Sequence, residues 1–234
     1  MTFCPSSKNS KIGANIGEGI IDDQKTLDDW SNCYYPLAMN SKTQDTRQHI
    51  LHVGYELIVN KGFTAVGLSQ LLKSADVPKG SFYHYFKSKE QFGEALIEEY
   101  VHTYMSRIHP VLNQNDVSGY DCLLDYFSRW LNVENGVCNA NKCLIVKLSA
   151  EVSDLSDSMR VSLAKGAKLI IGALASTIQR GIEDGSIDEM NSSLVARQLY
   201  QQWLGASLLN KLMQDQTNLE LCLLTTQQRL RSNS

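Results

Sequence analysis

An all-α protein in two parts, a small basic head followed by a larger acidic helical body, is what three features of the sequence predict. Apolar residues recur at helical spacing from Thr46 almost to the C-terminus, and no stretch of strict alternation competes with them. Breaks such as Asn113-Gln114-Asn115-Asp116, Asn135-Gly136 and Glu183-Asp184-Gly185 divide that pattern into separate segments. Charge is partitioned as well. Seven Lys or Arg stand against three acids between Ser41 and Lys89, net +4, whereas residues 90–234 carry twelve basic and seventeen acidic residues, net −5. The overall charge of −3 therefore conceals a positive segment suited to phosphate contact.

In the first helix, Thr46 to Asn60, one stripe is formed by Ile50, Val53, Gly54, Leu57 and Ile58, with Asp45 or Thr46 as N-cap and Gly62 as terminator. Leu68, Leu71 and Leu72 fall at i, i+3, i+4 and predict a short second helix, after which Asp76 tolerates a left-handed turn. Pro78 suits the first turn of a third helix, residues 78–86. That helix and the residues just beyond it carry Lys79, Ser81, Tyr83, His84, Lys87, Ser88 and Lys89. Small polar groups near its start can reach base edges in a major groove, and its lysines and tyrosine hydroxyls suit phosphate oxygens. A helical hairpin with its aromatics in a core and its lysines merely solvated has the same periodicity, so periodicity alone leaves both readings open.

Ser88 is placed to cap a long fourth helix, favoured by Glu90 and Glu94 near its N-terminus and apolar at Phe92, Ala95, Leu96, Ile97, Tyr100 and Val101. It runs to about Ile108, and Pro110 marks its end or a kink. Further helices are predicted over 120–133, 143–152, 159–182, 194–212 and 219 to about 230, with Leu199, Trp203 and Leu208 facing either a core or a partner. Residues 1–38 show no sustained period. The division is an extension over 1–40, disordered or the product of a mistaken upstream start given Met39, then a head over 41–90 and a body over 91–234.

Several classes are disfavoured. No apolar run approaches a membrane span and the N-terminus lacks a signal peptide's basic start and apolar centre, so a cytoplasmic protein with no membrane partner is expected. Six cysteines without close regular spacing read as free thiols, neither a disulfide framework nor a zinc site. No phosphate-binding loop or nucleophile elbow is present, which points away from an enzyme and from a cofactor.

The run Gly62–Phe92, GFTAVGLSQLLKSADVPKGSFYHYFKSKEQF, resembles the DNA-binding signature of the TetR family of bacterial transcriptional regulators, most specifically from Lys79 to Phe86 and at Ser88-Lys89-Glu90. Gly67, Leu72 and Asp76 depart from the commonest pattern in ways the backbone tolerates. The resemblance implies a homodimer on a palindromic double-stranded operator, paired through the last two long helices. It implies DNA contacts at Thr46, Arg47, Lys79, Gly80, Ser81, Phe82, Tyr83, His84 and Lys89.

With Asn141 as N-cap, Cys143 would lie in the first turn of its helix, where free N–H groups, the helix dipole and Lys142 or Lys147 favour a thiolate. A small apolar filler in a ligand pocket is the other reading of the same residue. KCLIVKLSAEVSDLSDSMR (142–160), KGAKLIIGAL (165–174) and WLGASLLNKL (203–212) are similar to a branch of the TetR family that responds to reactive electrophiles and hypochlorite-type oxidants. That similarity implies Cys143 as the sensing thiol and Lys211 as its partner in a reversible sulfur–nitrogen bond. Ser153 stands where that branch can carry a further cysteine. Release by reversible binding of a small molecule is the alternative.

Overall fold

The computed structural model describes residues 42–134 and 136–231; the extension expected over 1–40, with Cys4 and Cys33, lies outside them. Helix α1 (Lys42–Lys61) begins before the expected Thr46 and ends at Gly62, whose φ of +88° is the left-handed conformation that stops a helix without steric cost. Helix α2 (Leu68–Ala75) starts after Gly67, which makes no side-chain cap, and stops at Asp76 with φ +50°. Helix α3 (Lys79–Tyr85) follows Pro78 at the N-cap. Phe63, Val66, Leu71, Ala75, Phe82 and Phe86 join the α1 stripe in one buried core, and His49 Nε2 lies 2.9 Å from the Ala75 carbonyl, tying α1 to α2.

Helix α4 (Lys89–Leu112) is capped by Ser88, whose side chain accepts the Gln91 N–H. Pro110 sits inside its last turn, so the helix continues two residues beyond the proline that was expected to mark its end or a kink. The body is completed by α5 (Gly119–Ser128), α6 (Leu144–Val152), α7 (Asp157–Glu183), α8 (Ser192–Met213) and α9 (Thr217–Leu230). Helix α7 runs through the middle, against α4, α5, α6 and α8. It approaches α5 so closely that a Cβ on Gly119 would meet the Gly181 backbone at 2.4 Å. By length and composition α7 could cross a membrane, an 18-residue window having mean hydropathy 1.4, which departs from the expectation that no run approaches a span; 39% of that window is buried, where α7 packs on its neighbours.

One expected helix is corrected. Residues 120–133 are not continuous helix, because α5 stops at Ser128 and a two-stranded antiparallel hairpin follows, β1 (Val133–Glu134) and β2 (Val137–Cys138). A 3-10 helix at Asn139–Lys142 then leads into α6. The body's core is aromatic: Trp203 stacks on Phe127 with centroids 4.7 Å apart, meets Trp130 edge-on, and donates its indole N–H to Thr226 Oγ1 at 3.0 Å. Leu199 and Trp203 thus belong to the core, whereas Leu208 faces outward.

Candidate DNA-binding face and cysteine site

Helix α3 has two faces. Lys79, Gly80, Tyr83 and His84 are exposed and follow i, i+3, i+4 spacing, so they share one stripe, with Ser81 partly exposed at its border. Lys79 Nζ lies 5.8 Å from the centre of the Tyr83 ring, holding cation and phenol together. Arg47, near the start of α1, stands 5.6 Å over the Phe86 ring and brings its guanidinium to the far end of α3. Thr46 beside it is partly exposed. These residues form one basic, hydroxyl-bearing surface.

Two expected contacts depart from it. Phe82 is 0% exposed and packs on Phe86 and Phe92 at 5.2 and 5.7 Å, so it supports α3 from beneath and cannot touch a base without unfolding the head. Lys89 turns inward: its Nζ donates to the Phe63 carbonyl at 2.8 Å and lies 4.5 Å over the Phe63 ring. Burial, partly offset by Glu90 and Glu151, holds its ammonium below the usual lysine range. Its cation is committed within the protein.

The cysteine site assembles from distant segments. Cys143 is the N-cap of α6 instead of a first-turn residue, because Asn139–Lys142 forms its own 3-10 turn. That turn is held from three sides. Lys142 Nζ pairs with Glu134 at 2.7 Å, Ser207 Oγ of α8 donates to the Ala140 carbonyl at 2.8 Å, and Asn210 Nδ2 donates to Asn141 Oδ1 at 3.0 Å. Lys142 also serves α1, since Tyr55 Oη donates to its carbonyl at 3.4 Å.

The expected low thiol pKa is corrected. Burial pushes the Cys143 thiol up, and although the Val146 and Ile145 N–H groups and the Tyr100 hydroxyl act to lower it, burial wins. The N–H groups anticipated for a helix start are thus present, yet the desolvation of a charged sulfur outweighs them. Cys143 lines a cavity of about 400 Å³ between α1 and the body, bordered also by Tyr55, Tyr100, Tyr104, Arg107 and Trp130. The residue as a whole is partly exposed, and it is among those that line the cavity. Cys122, Cys138 and Cys222 are buried, and burial pushes the Cys222 thiol up to about 12.

Lys211, in the last turns of α8, and Lys147, one turn along α6 from Cys143, lie side by side. Burial first, and then Lys211, lower Lys147 to about 8, so near neutral pH it is mostly protonated with a minor share of free amine. Sequence reading noted Lys147 only as a source of charge and gave no role to Tyr55, Tyr100, Arg107 or Glu151. The partners of Tyr55, Tyr100 and Glu151 lie 44 to 88 residues away in sequence, and no local pattern marks them.

A three-helix head with a solvent-facing third helix on a helical body defines the class, and this chain belongs to the TetR family of bacterial transcriptional regulators. The model of bacterial regulatory proteins of the tetR family matches residues 50–96, and that of the tetracyclin repressor-like C-terminal domain matches 119–225. Among individual relatives, the chain is 43% identical over 178 residues to the HTH-type transcriptional repressor NemR of Escherichia coli strain K12, covering 74% of this chain and 88% of that one. It is 30% identical over 175 residues to the HTH-type transcriptional repressor DhaR of Mycobacterium sp. strain GP1, covering 74% and 86%. The crystal structure of E. coli NemR in its reduced form matches with a TM-score of 0.73 at 40% identity, covering 77% of this chain and 94% of that one. The protein is a DNA-binding transcriptional regulator.

Proposed function

We propose that this chain is a homodimeric repressor that holds a palindromic operator through α3 and lets it go when an electrophile or oxidant modifies Cys143. The observation that carries the trigger is positional: among the described cysteines only Cys143 is not fully buried, and it stands where the head's α1 meets the body. The solved structure of E. coli NemR is of its reduced form.

In this reading an oxidant such as hypochlorous acid takes the Cys143 thiol to a sulfenyl chloride with release of water. An amine then attacks sulfur and expels chloride, giving a sulfur–nitrogen bond and a proton. Lys211 is the assigned amine, and the neighbouring Lys147 keeps a share of free base in the same corner. An alkylating electrophile instead adds directly to the sulfur. Either product occupies the edge of the cavity beside Tyr55 and Tyr100.

The cavity itself favours a second reading, in which a small molecule binds without covalent attachment. Four aromatic rings and Arg107 could hold a flat ligand there, and such a ligand would displace α1 as an adduct would. A gel mobility shift on the DNA upstream of the chain's own gene, with and without N-ethylmaleimide, tests the function. Retarded DNA that is freed on treatment supports it; no retardation, at low salt as well as high, contradicts it.

A further inference from the structure

One side chain ties the body to the head. Glu151, in the last turn of α6, accepts the Phe63 N–H at 3.0 Å through Oε2 and the Thr64 N–H at 2.5 Å through Oε1. Those amides belong to the turn that follows α1, where a Cβ on Gly62 would lie 3.0 Å from the same carboxylate. Lys89 closes this turn from α4 through the Phe63 carbonyl. Burial pushes the Glu151 carboxyl up, but the Thr64 and Phe63 donors and the Lys89 cation together outweigh it and leave it below its ordinary range.

An acid in the last turn of a helix opposes the helix dipole, so local preference does not explain Glu151. A residue that breaks a local rule is expected where another demand applies, and here that demand is the pair of head amides. At the other end of α6, Cys143 forms the N-cap and Tyr55 of α1 reaches the Lys142 carbonyl. The head thus meets this segment at both ends, the turn after α1 at Glu151 and Tyr55 of α1 at the 3-10 turn just before Cys143; at a rise of about 1.5 Å per residue Cys143 and Glu151 stand roughly 12 Å apart. A short helix moves as a rod, so a displacement at its Cys143 end is carried to its carboxylate.

We propose that Glu151 is the positioning residue that sets the head's orientation on the body, and that the Cys143 end of α6 acts on the head through it. This rests on the Cys143 reading above. Lys147 stands one turn from each end, and with Lys89 it is the cation facing Glu151.

The test uses the full chain, the upstream-DNA duplex and N-ethylmaleimide. Amide exchange at Phe63 and Thr64 in the wild type rises by about tenfold or more when Cys143 is alkylated. Glu151→Gln, which keeps the size but removes the charge and turns one accepting oxygen into an NH2 donor, exchanges fast at these amides before treatment. It alkylates at the wild-type rate, and its DNA affinity changes by less than about twofold on alkylation. Glu151→Asp, which keeps the charge on a shorter arm, restores part of the response. Unchanged exchange at Phe63 and Thr64 on alkylation, or a wild-type response in Glu151→Gln, overturns the proposal. Cys143→Ser separates the two readings: if it still responds, the trigger is wrong, and the linkage then stands or falls on whether Glu151→Gln blunts that same response.

Discussion

Phe82 and Tyr83 are neighbours in α3, yet Phe82 is fully buried while Tyr83 is 47% exposed. Removing the Phe82 ring leaves a cavity among Phe86, Phe92 and Tyr83, and Phe82→Ala should lower stability by about 3–5 kcal/mol in a denaturant melt. Tyr83→Ala should shift the same melt by no more than about 0.5 kcal/mol while weakening binding to every duplex. The composition of α3 marked it as a recognition helix, but composition alone does not say which aromatic points inward. The spacing does, since Phe82 and Phe86 stand four apart on one stripe. For Cys143 burial decides the direction. Its neutral form is the favoured one, so the stability it contributes is present below the ordinary thiol pKa and fades as pH rises above it. Alkylation of Cys143 should accordingly be slower than that of a free thiol and should still climb about tenfold per pH unit at pH 8. A rate that levels off near pH 7 would mean that the helix N-terminus dominates after all.

Among the elements, α6 is the one whose place depends least on itself. Nine residues are too few to hold a helix alone, and its start is fixed by Ser207 and Asn210 of α8 and by Glu134 of the hairpin. Asn210→Ala leaves the Asn141 carboxamide without its donor and should cost about 1–3 kcal/mol, accompanied by faster alkylation of Cys143 as the 3-10 turn loosens. Thermal melts and timed labelling check both. The helices of the body were legible from apolar spacing because each buries a long stripe. The hairpin was not, since two residues per strand give no alternation to detect. The Glu151 tie was equally invisible, because an acid in a helix end pairs with amides 87 and 88 residues away.

At the scale of the molecule, exposed large apolar side chains among the described residues are most numerous on α8 and α9. Leu208, Leu209, Leu212 and Met213 of α8, together with Leu221 and Leu224 of α9, are exposed, Leu212 to 75%. Contiguous exposed leucines at helical spacing call for a covering surface, and the proposed twin supplies one with the same two helices. Leu208→Glu combined with Leu212→Glu should yield a monomer by sedimentation that no longer holds the upstream duplex at concentrations where the wild type does. In the proposed dimer two heads meet successive major grooves about 34 Å apart, so a small rotation of each head about α6 is enough to spoil the match. A hundredfold loss of affinity needs only about 2.7 kcal/mol, within reach of a few displaced hydrogen bonds. The most direct measurement is a titration of the upstream duplex with the wild type and with Cys143→Ser, each before and after N-ethylmaleimide. The account predicts equal affinities before treatment, then a loss of about a hundredfold for the wild type alone. Release of the serine variant to the same extent would contradict it.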